Sequence, residues 1–251
     1  MKTIILLSAL FFSGLSASAQ SPFAKAISEA HHRSEWYAKG AVETGIRLGM
    51  GEKVRFSGKL DMLTHGGMTK LTVDGGTTLG FDPEGAWIAP AESDFEKPRF
   101  HSLTWSYFLA APFKLEDPGA KIEPTGKKML NGKEYETAKL TFDPGTGDAP
   151  DDWYLLYQDS ETGRLAAMAY VVTYKGMAKP KDKEEPHAIT YEDYQSVDGV
   201  PVPMHWKFWN WSENGGLGDQ LMEMKLSDFK FVSPKEIDLT APSSARRLPE
   251  L

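Results

Sequence analysis

From residue 54 to residue 231, apolar and polar side chains alternate in short runs, and the runs end in turn-forming sequences. Val54, Phe56, Leu60 and Met62 alternate with Arg55, Ser57, Lys59 and Asp61. A side-chain period of two marks a strand with one buried face. The runs at 70–73, 77–81 and 86–89 are separated by Asp74-Gly75-Gly76 and Asp82-Pro83-Glu84-Gly85, which carry the Gly and Pro positions that hairpin turns require. Further strands are expected at 133–142, 153–159, 165–174, 187–195, 202–211 and 221–231, with turns at 159–163 and 197–200. The pattern predicts a mainly β, α+β fold built on an antiparallel meander of about ten strands.

Two stretches switch to helical spacing. Residues 23–37 set Phe23, Ile27, Ala30, Trp36 and Tyr37 on one side and Lys25, Glu29, Arg33 and Glu35 on the other, after a Ser21-Pro22 start, so one amphipathic helix is expected there. Between residues 100 and 113, Trp105, Phe108, Leu109 and Pro112 fall at three- and four-residue steps. A lone apolar helix inside a β series ordinarily covers a sheet face, and Pro112 marks its end. No internal repeat or long linker interrupts 20–251, which reads as a single domain. The charged, Pro-containing run 175–186 is expected to be a mobile loop, and the tail 242–251 to be frayed.

The first nineteen residues read as a secretory signal peptide. Lys2 gives a positive start, an apolar run too short for a bilayer span follows, and Ala17-Ser18-Ala19 supplies the small residues that precede cleavage near Ala19. No later segment is long and apolar enough to span a membrane as a helix, so the processed chain is expected in the periplasm or secreted. The 251-residue chain carries 28 Lys and Arg against 35 Asp and Glu, a net charge of −7. Such a surface repels phosphate backbones and disfavours nucleic acid as a partner. With no cysteine, disulfides, thiol nucleophiles and Cys-ligated metals are excluded.

Motifs for catalysis are sparse. There is no Gly-x-Ser-x-Gly elbow, Ser-x-x-Lys pair, His-Glu-x-x-His or phosphate-cradling loop. Gly45-Ile-Arg-Leu-Gly49-Met-Gly51 has the wrong spacing for a dinucleotide site. His31 and Glu35 lie one helical turn apart but lack distant ligands, so a solvated polar face is expected rather than a metal site. The acidic run 143–152 misses the alternating carboxylates and closing Glu of a calcium loop, and is expected to be a solvated turn. No cofactor or metal is expected.

Two strands are apolar on both faces. Val202, Met204, Trp206 and Phe208 alternate with Pro203, His205, Lys207 and Trp209, and Met168, Tyr170 and Val172 alternate with Ala167, Ala169 and Val171. A sheet with one wet face would show polar residues on its second side, so something covers that side here, either a second layer or a ligand. Trp105, Phe108, Leu109, Phe113, Met168, Tyr170, Trp206 and Phe208 are therefore the candidate ligand-binding residues, with ordinary core packing as the competing explanation.

Three segments carry a family resemblance. Trp153-Tyr-Leu-Leu-Tyr-Gln-Asp159 precedes Thr162-Gly163 and the strand at 165–174, and Ile189-Thr-Tyr191-Glu-Asp-Tyr194-Gln-Ser-Val197-Asp-Gly199-Val-Pro201-Val-Pro203 follows. With Pro112-Phe-Lys-Leu115-Glu-Asp117-Pro118-Gly119, they resemble an exported bacterial family of unknown function and, more distantly, the LolA/LolB-like lipoprotein carriers. The resemblance implies an unclosed, curved antiparallel half-barrel with helices on its concave face, around an apolar cavity that takes acyl chains in the carriers. No individual functional residue carries over.

The function these readings favour is non-catalytic binding of an apolar small molecule, a lipid or an acylated molecule. An envelope protein-interaction or sensor module is one alternative. A carbohydrate-binding protein or glycoside hydrolase, using the Trp residues and a carboxylate pair, is the other.

Overall fold

The computed structural model describes residues 21–146, 152–171 and 186–250. The leader therefore lies outside the described residues, as do residues 175–185 of the loop expected at 175–186, the last three residues of the strand expected at 165–174 and residues 147–151 of the acidic run 143–152.

Among the described residues, thirteen strands form one antiparallel sheet in the order β13-β5-β4-β3-β2-β1-β12-β11-β10-β9-β8-β7-β6. The first arm is a meander outward from the centre: β1 (Ala41–Met50), β2 (Lys53–Leu63), β3 (Thr69–Val73), β4 (Thr78–Asp82) and β5 (Gly85–Ala89). The second arm runs inward from the far edge through β6 (Ala120–Leu130), β7 (Lys133–Phe142), β8 (Trp153–Gln158), β9 (Leu165–Val171), β10 (His187–Val197), β11 (Val200–Ser212) and β12 (Gly216–Val232). The arms join where β1 pairs with β12, Ala41 opposite Val232.

This topology determines where the helices go. The chain must travel from β5, near one edge, to β6, at the other, and it does so through α3 (Pro98–Ala110). The helices α1 (Pro22–Ala30), α2 (Arg33–Lys39) and α3 share one core with a single face of the sheet. The chain thus has the expected mainly β fold, an open antiparallel sheet in half-barrel form with helices on its concave face, but with thirteen strands.

The three additional strands each carry a weak sequence signal. In β1, Val42, Ile46 and Leu48 are buried, but buried Thr44 interrupts their row and Gly45 and Gly49 stand at the alternate positions. Those glycines mark close approaches, because a Cβ on Gly45 would meet Ser227 Oγ at 2.4 Å and one on Gly49 the Lys53 carbonyl at 2.4 Å. Edge strand β6 is mostly exposed, with Pro124 and Gly126 flanking a bulge, so it has no apolar row to detect. β13 (Arg246–Arg247) corrects the frayed tail. It pairs with β5, Arg247 reaches Asp82 at 2.6 Å, and Leu248 is buried with its amide on the Ala86 carbonyl at 2.8 Å.

The single helix expected at 23–37 is two. The break falls at His31 and His32, where His32 adopts a left-handed conformation with φ 54°. His31 is not on a solvated face: it is fully buried, 5.7 Å from the Phe113 ring and 5.6 Å from Tyr194. Its Nε2 accepts the Leu165 amide at 3.0 Å, and burial pushes its pKa down to about 3. A neutral imidazole can bury itself as an acceptor, which spacing on a helix does not reveal.

Candidate functional site

Apolar residues on all sides of α3 reflect its position inside the sheet. Trp105, Phe108, Leu109 and Ala110 are buried, as are Arg99, His101 and Ser102. Its backbone approaches β3, β4 and β5 most closely. Toward the other arm it reaches chiefly with rings: Trp105 to Phe208 at 6.1 Å, Phe108 to Tyr170 at 5.3 Å and to Phe208 at 5.9 Å, and Tyr107 to Tyr154 at 5.6 Å between ring centroids. The result is an aromatic seam between α3 and β8–β11.

Few polar groups cross this seam. The Tyr191 hydroxyl donates to the Phe108 carbonyl at 2.9 Å. That carbonyl needs a partner because residue 112, four positions on, is proline and has no amide hydrogen to give. Within the helix, Trp105 Nε1 donates to His101 Nδ1 at 3.2 Å. Burial pushes the His101 pKa down to about 4, so the ring is neutral and accepts that bond. Burial likewise raises the pKa values of Tyr107, Tyr154, Tyr170 and Tyr191, keeping their hydroxyls protonated.

Of the eight residues named from sequence, Trp105, Phe108, Tyr170 and Phe208 meet in this ring cluster. Leu109, Met168 and Trp206 are buried in the same core, and Trp206 stands 6.1 Å from Tyr191. Phe113 belongs to the same core but lies away from the ring cluster, stacked on Trp36 of α2 at 4.1 Å. Sequence reasoning missed Phe56, Phe95 and His101 at one end of the seam and Tyr107, Tyr154 and Tyr191 along it. The period-two rows of β2, β8 and β10 contain Phe56, Tyr154 and Tyr191, but register alone brings them to α3. Beyond Phe56, at the β1–β2 turn, Met50 and Val54 are 40% and 46% exposed, leaving an apolar rim.

The second face of β9 packs in a separate cluster containing Leu155, Tyr157, Ala167, Ala169, Ala188 and Trp211, whereas on the second face of β11 polar pairs replace the expected cover: His205 bonds Glu223 at 2.8 Å, Lys207 pairs with Glu192 at 2.7 Å and Trp209 donates to Thr190 at 3.1 Å. Among the described residues, no group of three or more His, Asp and Glu side chains is placed to hold a metal. Among the described residues, too, no helix is long and apolar enough to cross a membrane.

The sequence model of a family of unknown function (DUF6503) matches residues 91–209, from just before α3 into β11. No curated protein matches the chain. Among solved structures, a LolA superfamily protein from Nitrosomonas europaea superposes with a TM-score of 0.55 at 10% identity, covering 87% of this chain and 97% of that one. A DUF1329 family protein from Desulfovibrio piger gives 0.44 at 8% identity, over 84% and 93% of the two chains. A putative outer membrane lipoprotein-sorting protein domain from Vibrio parahaemolyticus gives 0.42 at 12% identity, over 84% and 94%. The first of these shows that the chain has the LolA-like fold.

Proposed function

We propose that the chain is an exported, single-domain, non-catalytic binding protein that takes a lipid or acylated molecule into the seam between α3 and β8–β11. The observation that carries this reading is the asymmetry of the α3 contacts. The helix lies close on β3–β5 but meets the opposite arm through rings, the Tyr191 hydroxyl and the Tyr107–Tyr154 hydroxyl pair. Ring pairs contribute about 0.5–1.5 kcal/mol each beyond their buried area. An acyl chain sliding between the rings keeps their apolar surface out of water, at about 25 cal/mol per Å², so opening the seam around a ligand costs little net burial. The exposed Met50 and Val54 supply an apolar mouth at the Phe56 end. The acyl-chain cavity implied by the LolA/LolB resemblance supports the same reading.

Native mass spectrometry of the protein purified without detergent from its natural host tests it. A bound species with the mass of a lipid or acylated molecule, present at up to one per chain, is the expected result. An unliganded protein that also ignores a panel of lipids would contradict it and favour an envelope interaction module. A response to soluble oligosaccharides alone would favour carbohydrate binding.

A further inference from the structure

On the sheet face opposite α3, two hairpins meet. The β11–β12 turn and the β6–β7 hairpin touch where Lys128 pairs with Glu213 at 3.0 Å and the Leu217 amide donates to Asn131 Oδ1 at 3.3 Å. Beside this arch lies a cleft of about 390 Å³, within the size range of small-molecule sites. Trp153, Leu155 and Trp211 form its apolar wall. The two indoles stand edge to face at 6.4 Å, and Trp211 Nε1 is buried near the Tyr157 hydroxyl without a hydrogen bond of ordinary geometry. Lys128 is already neutralised by Glu213. Lys139 is held differently: its ammonium stands 5.9 Å over the Trp153 ring, Glu123 is its cross-strand neighbour in β6, and among the described residues no ion pair joins it to a carboxylate. An apolar wall with an exposed cation at its edge that is tied into no ion pair among the described residues matches an amphiphile with one anionic group.

We infer that this cleft is a second binding site, separate from the α3 seam, for a small amphipathic anion whose apolar body lies against Trp153 and Trp211 and whose carboxylate or phosphate faces Lys139.

Calorimetric titration of the full chain with dodecanoate, dodecyl phosphate and uncharged dodecanol, each below its aggregation limit, tests the assignment. The comparison variants are Lys139→Glu, Trp153→Leu and Phe108→Ala. The inference expects the anionic probes to be preferred over dodecanol and their binding to weaken with added salt, because Lys139 is exposed. Lys139→Glu should weaken anion binding roughly tenfold and abolish the preference for a charged head, and Trp153→Leu should weaken all three probes. Phe108→Ala should leave this site unchanged. Dodecanoate against dodecyl phosphate identifies which anion the site favours. Anion binding unaltered by both Lys139→Glu and Trp153→Leu would overturn the inference, as would binding lost only in Phe108→Ala, which would leave the seam reading standing by itself. A site that takes neutral oligosaccharides in place of the amphiphiles would also overturn it.

Discussion

The Tyr191 hydroxyl of β10 donates to the Phe108 carbonyl near the end of α3 at 2.9 Å, where Pro112 has removed the amide that would otherwise serve it. This phenol thus ties the backbone of the interior helix to the strand arm, beside the Tyr107–Tyr154 hydroxyl contact and the rings. Tyr191→Phe keeps the ring and removes only the donor. The buried carbonyl is then left unpaired, and about 1–3 kcal/mol of stability should be lost. If the bond latches the seam, acyl-chain uptake should also become faster in stopped-flow mixing. A destabilised variant with unchanged uptake would make the bond structural only.

Phe108 and Phe113 separate the seam from the rest of the core. Both are buried, at 5% and 1% exposure, so truncation of either to Ala should cost about 3–5 kcal/mol in equilibrium denaturation. Only Phe108 lies between α3 and the strand wall. Phe108→Ala should weaken acyl-ligand binding roughly fivefold or more, whereas Phe113→Ala, which unstacks Trp36, should leave affinity unchanged. Equal effects of the two on affinity would count against the seam.

Two buried histidines predict how stability depends on acid. The pKa values of His31 and His101 fall from 6.5 to about 3 and about 4 because burial disfavours the charged ring. Both stay neutral in the fold while the unfolded chain takes up protons below about pH 6.5. The stability they contribute is complete above that pH and is lost as pH falls toward the folded values. At pH 5 the loss should reach about 2 kcal/mol for each residue. Denaturation curves at pH 7 and pH 5 measure it, and changing either histidine to Gln should remove about half the difference.

The strand alternation, the hairpin turns and an interior apolar helix were legible in the sequence because each is a local pattern. What needed the fold were features whose cause is distant. β1 is pinned between β2 and β12 by glycines at close approaches, β6 is an exposed edge with no buried row, and the tail is held by Arg247 on Asp82. His31 looked polar and solvated because its acceptor role depends on the Leu165 amide, 134 residues away. Among the site residues, Trp105 and Phe108 of α3 and Tyr170 and Phe208 were visible as apolar excess. Tyr191 was not, since its partner is a carbonyl orphaned by a proline. Nor did the Trp-rich run in β11 show which indole does what: Trp206 is fully buried in the main core, while Trp211 lines the opposite cleft with Trp153 from β8.

The central claim is that an acyl chain enters between α3 and β8–β11, and indole quenching by a fatty acid brominated at mid-chain tests it most directly. At one equivalent, the account predicts that most of the quenched emission comes from Trp105 and Trp206, so that it falls in Trp105→Phe and Trp206→Phe and persists in Trp153→Phe. No quenching, or quenching confined to Trp153 and Trp211, would contradict it.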